Sequence, residues 1–393
     1  MNKKSNQFAD RIQTLVPEGA YEVLAKAQEL ETAGKKIIHL EIGQPDFQTY
    51  SNISLAGIRA ISTGHTRYTP SAGMPELKKE IAEYSASRVN MDLSPRQVVV
   101  APGAKPLLFF PMMALLEKGD EVIYPDPGFP SYRAIIETMG AKPVPVPLNE
   151  ESGFSFDMKE FEERVNERTR LVIINSPSNP TGGIVGIRDL TIIAEAAQAC
   201  DFWVLSDEIY SRMTFMEDVV PSIITLPGMK ERTILVDGFS KTYAMTGWRL
   251  GFGLMPEDLA HKVGLLLTHS IGCTAGFTQM AGIEALTGPQ EQVKKVCKIF
   301  KERRDIIVNG LNEIPGIDCQ TPLGAFYVFP NIKSYGRSSE KLADYLLDKA
   351  RVALLPGTSF GSQGEGYLRL CYANSKKNIR DALEQIRIAL NKI

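Results

Sequence analysis

"FWVLSDEIY", residues 202–210, is the stretch that decides how the chain is read. Phe202 to Leu205 are consecutive apolar residues. The run is too short for a buried helix and suits a strand covered on both faces. It ends in Asp207 and Glu208, and Tyr210 comes three residues after Asp207. In an open α/β sheet, ligands bind beyond the carboxyl ends of the strands, so a core strand ending in a carboxylate and a phenol marks a candidate site. Read alone, Asp207 is equally the N-cap of a following helix.

Similar runs recur on either side. They are "VVVA" (98–101), "EVIY" (121–124), "PVPVPL" (143–148), "LVIIN" (171–175), "ILVD" (234–237) and "RLGFGL" (249–254), with helical patterns between them. The reading is an α/β large domain over 46–289, built on a mostly parallel seven-stranded sheet between helices. From about Gln290 the pattern changes. "EQVKKVCKIFKERRDIIVNGLNEI" has Val293, Val296, Ile299, Phe300, Ile307 and Leu311 near helical spacing, which predicts one long amphipathic helix. An apolar segment (325–329), a helix (340–350), strands at 352–355 and 367–372 and a closing helix (375–390) complete a smaller α+β domain, 290–393. Residues 1–45, with a helix around 21–33, are expected to pack with that domain.

Composition sets the outer limits. With 393 residues, 44% apolar and 23% charged, the chain reads as a globular enzyme of about two domains. The net charge of −2 asks for neither nucleic acid nor an anionic membrane as partner. The start, "MNKKSNQFADRIQTL", lacks the apolar core of a secretory leader. No apolar run approaches the about 18 residues of a membrane helix. Cys200, Cys273, Cys297, Cys319 and Cys371 are scattered and odd in number, so no disulfide framework is expected and a cytoplasmic, reducing compartment fits. His39, His65, His261 and His269 form no ligand pair, so no metal site is expected.

The other strand ends also carry polar residues. After "VVVA" comes Gly103-Ala104-Lys105 and then a helix. A glycine turn at a helix N-terminus can cradle a phosphate, though such turns often serve only the chain reversal. After "LVIIN" comes "SPSNPTG" with Asn179, which alone is loop punctuation. After "ILVD" comes "GFSKTYAMTGWR" with Ser240, Lys241 and Arg249. A lysine beside apolar residues can be desolvated, which frees its amine for a Schiff base. A nearby carboxylate can keep a pyridinium nitrogen protonated, and a glycine turn with an arginine can anchor a phosphate. Together these meet the needs of pyridoxal 5′-phosphate.

In "RYTPSAGMPELKKEIA", "APGAKPLLF", "DPGFPSY", "NSPSNPTGG", "SDEIYS", "FSKTYAMTGWRLGF", "GAFYVF" and "YLRL" the chain resembles the class I/II aminotransferases of fold type I, in the bacterial aspartate and aromatic group. The resemblance runs over nearly the whole chain. It implies that Lys241 forms the Schiff base and shuttles the substrate proton, while Asp207 pairs with the ring nitrogen. It implies that Tyr210 and Asn179 bond the phenolic oxygen and that Phe129 stacks on the ring. The phosphate falls to the backbone at Gly103, Ala104 and Lys105 with Ser240, Arg249 and, from a second subunit, Tyr68. That last role implies a homodimer with shared sites. Arg369 would clamp the substrate α-carboxylate, which needs a bidentate fork. Gly43 would let the backbone close over the substrate, and Asn179-Pro180 matches a position often cis in the family. From alternation alone, Arg369 would instead point into solvent, opposite Leu368 and Leu370.

The activity so implied is a ping-pong transfer of an amino group from an L-amino acid to a 2-oxo acid, 2-oxoglutarate. Domain closure is expected, since Lys241 and Arg369 lie on different lobes. "THSIGCTAGFTQ" (268–279) lacks the arginine that some dicarboxylate-specific relatives carry there. Glu18, in "LVPEGAYEV", either faces the substrate and opposes an acidic side chain, or is a first-turn helix carboxylate in solvent. Donor preference stays open among aspartate, aromatic and neutral side chains. A lyase or cyclase acting on an amino-acid side chain would use the same residues. A coenzyme-binding sensor domain would need an added DNA-binding module, for which the chain shows no basic excess.

Overall fold

The computed structural model describes residues 8–393 except Thr14, Val16 and Asp218. Residues 1–7, the first part of the stretch read as lacking a leader core, lie outside the described residues. Among the described residues, no helix is long and apolar enough to cross a membrane.

One sheet organises the larger lobe. Across it the strands run Val98–Ala101, Gly251–Leu254, Thr233–Gly238, Trp203–Asp207, Thr169–Asn175, Glu121–Asp126, Lys142–Asn149 and Ser155–Phe156. Every expected strand is present, and the eighth is a two-residue addition at the edge. The interior strands pair in parallel, while Gly251–Leu254 runs against both of its neighbours. Successive residues feed opposite cores: Leu171, Ile173 and Leu205 pack on one face, Val172, Ile174 and Val204 on the other. Both faces are covered, so the strands read as continuous apolar runs rather than alternating ones.

The edge follows from prolines. In "KPVPVPLN", Pro143, Pro145 and Pro147 sit at alternate positions of the Lys142–Asn149 strand, while the Lys142 N–H bonds back to Asp120. Alternate N–H groups are therefore missing on the open side, but carbonyls remain. Pro147 and Asn149 accept from Asp157 and Phe154, which supports only the short antiparallel strand Ser155–Phe156.

The C-terminal lobe holds the long helix, Glu291–Asn312, and a three-stranded antiparallel sheet of Tyr327–Val328, Leu368–Cys371 and Leu355–Pro356. Helix Ser339–Lys349 packs on Leu355–Pro356, and helix Lys376–Leu390 lies along the long helix. The strand expected over 352–355 divides at Leu354. Val352–Ala353 pairs in parallel with Ile38–His39, whereas Leu355–Pro356 pairs with Leu368–Arg369, so the segment changes partners midway. The helix Gly19–Thr32 lies against both of these short strands.

A second difference lies after Asp207, where no helix forms. The Ile209 N–H bonds to Asp207 Oδ1 at 3.3 Å, Ser211 N–H to Glu208 O at 2.7 Å and Met213 N–H to Tyr210 O at 2.8 Å. These are tight turns, and Thr214 then bridges to Gly324 of the other lobe. Asp207 is thus not a helix cap.

Candidate active site

The sheet registers gather the polar strand ends. Asn175 lies beside Asp207, Asp207 beside Val236, Gly238 beside Gly251 and Gly251 beside Ala101. Because Gly251–Leu254 runs in reverse, Arg249 precedes it and still emerges on the same edge. A cavity of about 1540 Å³ opens there between the lobes. Its lining includes Gly43, Ala104, Lys105, Phe129, Asn179, Asp207, Tyr210, Ser240, Lys241, Arg249 and Arg369. Gly103 lies under Arg249 rather than on the lining. Tyr68 is 97% exposed and does not line the cavity of its own chain.

Lys241 Nζ donates to the Gly43 carbonyl at 2.7 Å. Burial lowers its pKa to about 8, with the charges of Arg369 and Arg249 acting the same way. About a tenth of the amine is therefore unprotonated at pH 7. Gly43 is held close on its other side: a Cβ there would collide with Tyr327 Oη.

Asp207 is buried, and burial raises its pKa to about 6. The Tyr132 hydroxyl donates to its Oδ2 at 2.7 Å. The Asn175 side-chain amide donates to the Asp207 carbonyl at 3.0 Å, and Asn175 Oδ1 accepts the Asn179 N–H at 2.8 Å. One asparagine thus ties the two strand-end loops together. The Asn179–Pro180 peptide is cis, as are Asp126–Pro127 and Ser176–Pro177. The Tyr210 and Tyr327 hydroxyls lie 2.7 Å apart, and burial pushes the Tyr210 phenol well above its ordinary value.

The glycine turn is built for close approach. Gly103 has φ +91°, and a Cβ on it would collide with Arg249 Nη2. Arg249 itself adopts φ +55°, a costly conformation for a side-chain-bearing residue, which brings its guanidinium back over the turn. A Cβ on Gly251 would strike the Gly103–Ala104 peptide at 2.5 Å. Backbone N–H groups, an arginine and the N-terminus of helix Lys105–Leu115 so converge on one place, a fit for a phosphate.

Arg369 does not point into solvent. It is 4% exposed, lodged over the rings of Tyr327 (4.6 Å) and Phe360 (5.0 Å). Its Nη1 donates to Asn179 Oδ1 at 3.2 Å and its Nη2 to the Glu41 carbonyl. Its Nε has no partner, and among the described residues no carboxylate pairs with it. A buried guanidinium with a spare donor is arranged for an anion. Alternation failed here because both faces of Leu368–Cys371 are covered.

Sequence reasoning missed Tyr132, Asn175 and Tyr327. Each lies inside or next to a quoted motif, but its partner comes from a distant segment. Glu18 stands at the cavity. Its side chain makes no cap bond to its own helix; Oε1 accepts from Lys105 Nζ and from Ser131 Oγ at 3.1 Å, at the cavity wall.

Fold and site together describe a two-lobed α/β enzyme in which a desolvated lysine, a buried aspartate and a phosphate cradle share one cavity. A family model for aminotransferase class I and II matches residues 35–386. The chain is 42% identical to an aspartate aminotransferase of Pyrococcus horikoshii over 99% of both chains. It superposes on an aromatic aminotransferase from Pyrococcus horikoshii with TM-score 0.89 and 37% identity, covering 94% of this chain and 99% of that one. An alanine aminotransferase from Pyrococcus furiosus gives TM-score 0.94 at 32% identity, covering 98% and 100%. The chain belongs to the class I and II aminotransferases, and so to the pyridoxal-phosphate-dependent enzymes that transfer amino groups.

Proposed function

We propose that the protein moves the amino group of an L-amino acid to 2-oxoglutarate in two half-reactions at this one cavity, holding pyridoxal 5′-phosphate there. The observation that carries the reading is the pairing of Arg369, buried with an unused donor, with the desolvated Lys241 amine on the same cavity. A carboxylate on Arg369 leaves the amine and Cα of an amino acid to face Lys241.

The coenzyme, when bound, supplies an aldehyde that condenses with amines and a ring that takes up the electron pair left at Cα. The chain's own groups do the rest. Lys241 Nζ would take the proton from Cα and hand it back on the far side of the amino nitrogen, at the coenzyme's aldehyde carbon. Asp207, steadied by Tyr132, would keep the ring nitrogen protonated. Tyr210 and Asn179 would hold the phenolic oxygen, and Phe129, edge-on to Tyr132 at 5.6 Å, would supply a stacking surface. The Gly103–Lys105 backbone, Ser240 and Arg249 take the phosphate.

A homodimer belongs to this reading. Leu55, Ile58 and Ile61 are exposed on the helix Ser51–Ser62, with Ile58 and Ile61 at the cavity, and Tyr68 is exposed as well. Such an apolar stripe suits a second copy that returns its own Tyr68 to this site. Sedimentation at micromolar concentration should give a dimer; a monomer that is fully active would overturn the shared site.

The function is tested by a panel of amino donors with 2-oxoglutarate. Glutamate and the donor's oxo acid should appear in equal amounts, and borohydride reduction of the coenzyme-loaded protein should fix the coenzyme on the Lys241 peptide. Ammonia or a cyclised product formed without an acceptor would replace this reading with the lyase or cyclase one. An unlabelled Lys241 would remove the coenzyme reading itself.

A further inference from the structure

The cavity's charged lining contains one pair that the proposed chemistry does not use. Lys241 and Asp207 serve the reaction, Arg249 the phosphate and Arg369 the α-carboxylate. Among the described lining residues this leaves Glu18 and Lys105, and they bond to each other. We propose that Glu18 is an internal stand-in for a substrate side-chain carboxylate. It occupies Lys105 when the substrate side chain is uncharged, and a dicarboxylic substrate displaces it. One cavity then accepts both a neutral donor and 2-oxoglutarate. This rests on the aminotransferase reading above and deepens it.

Several observations carry the pair. Glu18 is the N-cap residue of helix Gly19–Thr32, yet its side chain makes no cap bond. It reaches instead to a segment 87 residues away. Lys105 opens the helix at the phosphate cradle, and its ammonium sits 5.2 Å from the Phe129 ring centroid. Ser131, two residues past Phe129, donates to the same Glu18 oxygen at 3.1 Å. A carboxylate at this spot is therefore met by an ammonium and a hydroxyl, the partners a substrate carboxylate would want. The remaining wall from that helix is Ala20, Tyr21 and Leu24, which suits an uncharged side chain.

The pair is also arranged to open. Side-chain exposure is 50% for Lys105 and 28% for Glu18, and an ion pair so exposed is weak. A substrate already anchored at Arg369 and at the reacting centre presents its second carboxylate at high effective concentration. The exchange conserves the bonds on Lys105 and Ser131, while Glu18 swings to solvent.

The test is succinate binding to the coenzyme-loaded enzyme by calorimetry, alongside kcat/KM for aspartate and for a neutral donor. Glu18→Gln should tighten succinate about 10-fold or more and raise the aspartate-to-neutral ratio similarly, since the competing charge is gone. In Lys105→Met the Glu18→Gln change should have no such effect, because there is no cation to free. Unchanged or weaker succinate binding in Glu18→Gln overturns the proposal, as does an equal gain in the Lys105→Met background. A thermal melt and coenzyme stoichiometry on each variant separate loss of fold from loss of the exchange. A protein that never takes up coenzyme would instead sink the underlying aminotransferase reading.

Discussion

Lys241→Ala should lower the rate of the first half-reaction by at least about 10⁴-fold, the upper range for a lost general acid–base residue. Lys241 Nζ is fixed at 2.7 Å from the Gly43 carbonyl and carries a pKa of about 8 because it is buried. No other described group on the cavity can take over. Lys105 is paired with Glu18, Arg249 lies over the phosphate cradle, Arg369 is bonded to Asn179 and the Glu41 carbonyl, and the Tyr210 phenol is pushed well above its ordinary value. Lys241→Arg should be nearly as inactive, since a guanidinium keeps the positive charge but yields no free base. Single-turnover mixing of the coenzyme-loaded variant with an amino acid measures this directly. A loss under about 100-fold would assign the proton transfer to another group.

Asp207→Asn should stabilise the coenzyme-free protein while crippling the loaded one. A carboxyl raised by burial from 3.8 to about 6 favours its protonated form in the folded chain. Its ionisation therefore costs stability as pH rises from about 4 to 6, and the full cost is present above that range. The amide oxygen of asparagine keeps the Tyr132 hydrogen bond, the longer bond from the Ile209 N–H (3.3 Å) is given up, and the charge is removed. At pH 8 the coenzyme-free variant should gain up to about 3 kcal/mol in denaturant unfolding, and below pH 4 it should gain nothing. Turnover of the loaded variant should fall about 10²–10³-fold, the cost of an electrostatic partner removed from the reacting centre. Destabilisation of the coenzyme-free variant at pH 8 would mean that Asp207 is already charge-balanced within the chain. The physical point is that a site poised to hold a cation is strained without it.

Much of this arrangement was legible in the residues. Parallel strands buried on both faces must be continuous apolar runs, so "FWVL", "LVIIN" and "ILVD" announced themselves. The polar residues just beyond these runs marked Asp207, Asn179 and Lys241. The helix expected after Asp207 was the local misreading. Glu208 and Tyr210 accept turn hydrogen bonds there, and Thr214 is drawn to the other lobe, so long-range pairing overrode local propensity. Arg369 shows the opposite failure. Alternation in "YLRLC" sent it to solvent, because periodicity assumes one covered face and this strand has two.

The sequence by itself therefore determined the layered α/β architecture, the strand ends that carry polar groups, and the kind of ligand those groups fit. These follow from short-range chemistry, in runs and turns spanning a few residues. Only the tertiary structure decided that Tyr132 holds Asp207, that Tyr327 meets both Tyr210 and Gly43, and that Glu18 closes on Lys105. Those contacts join segments 75 to 284 residues apart, set by strand register and by how the lobes face each other. No local pattern encodes such a distance.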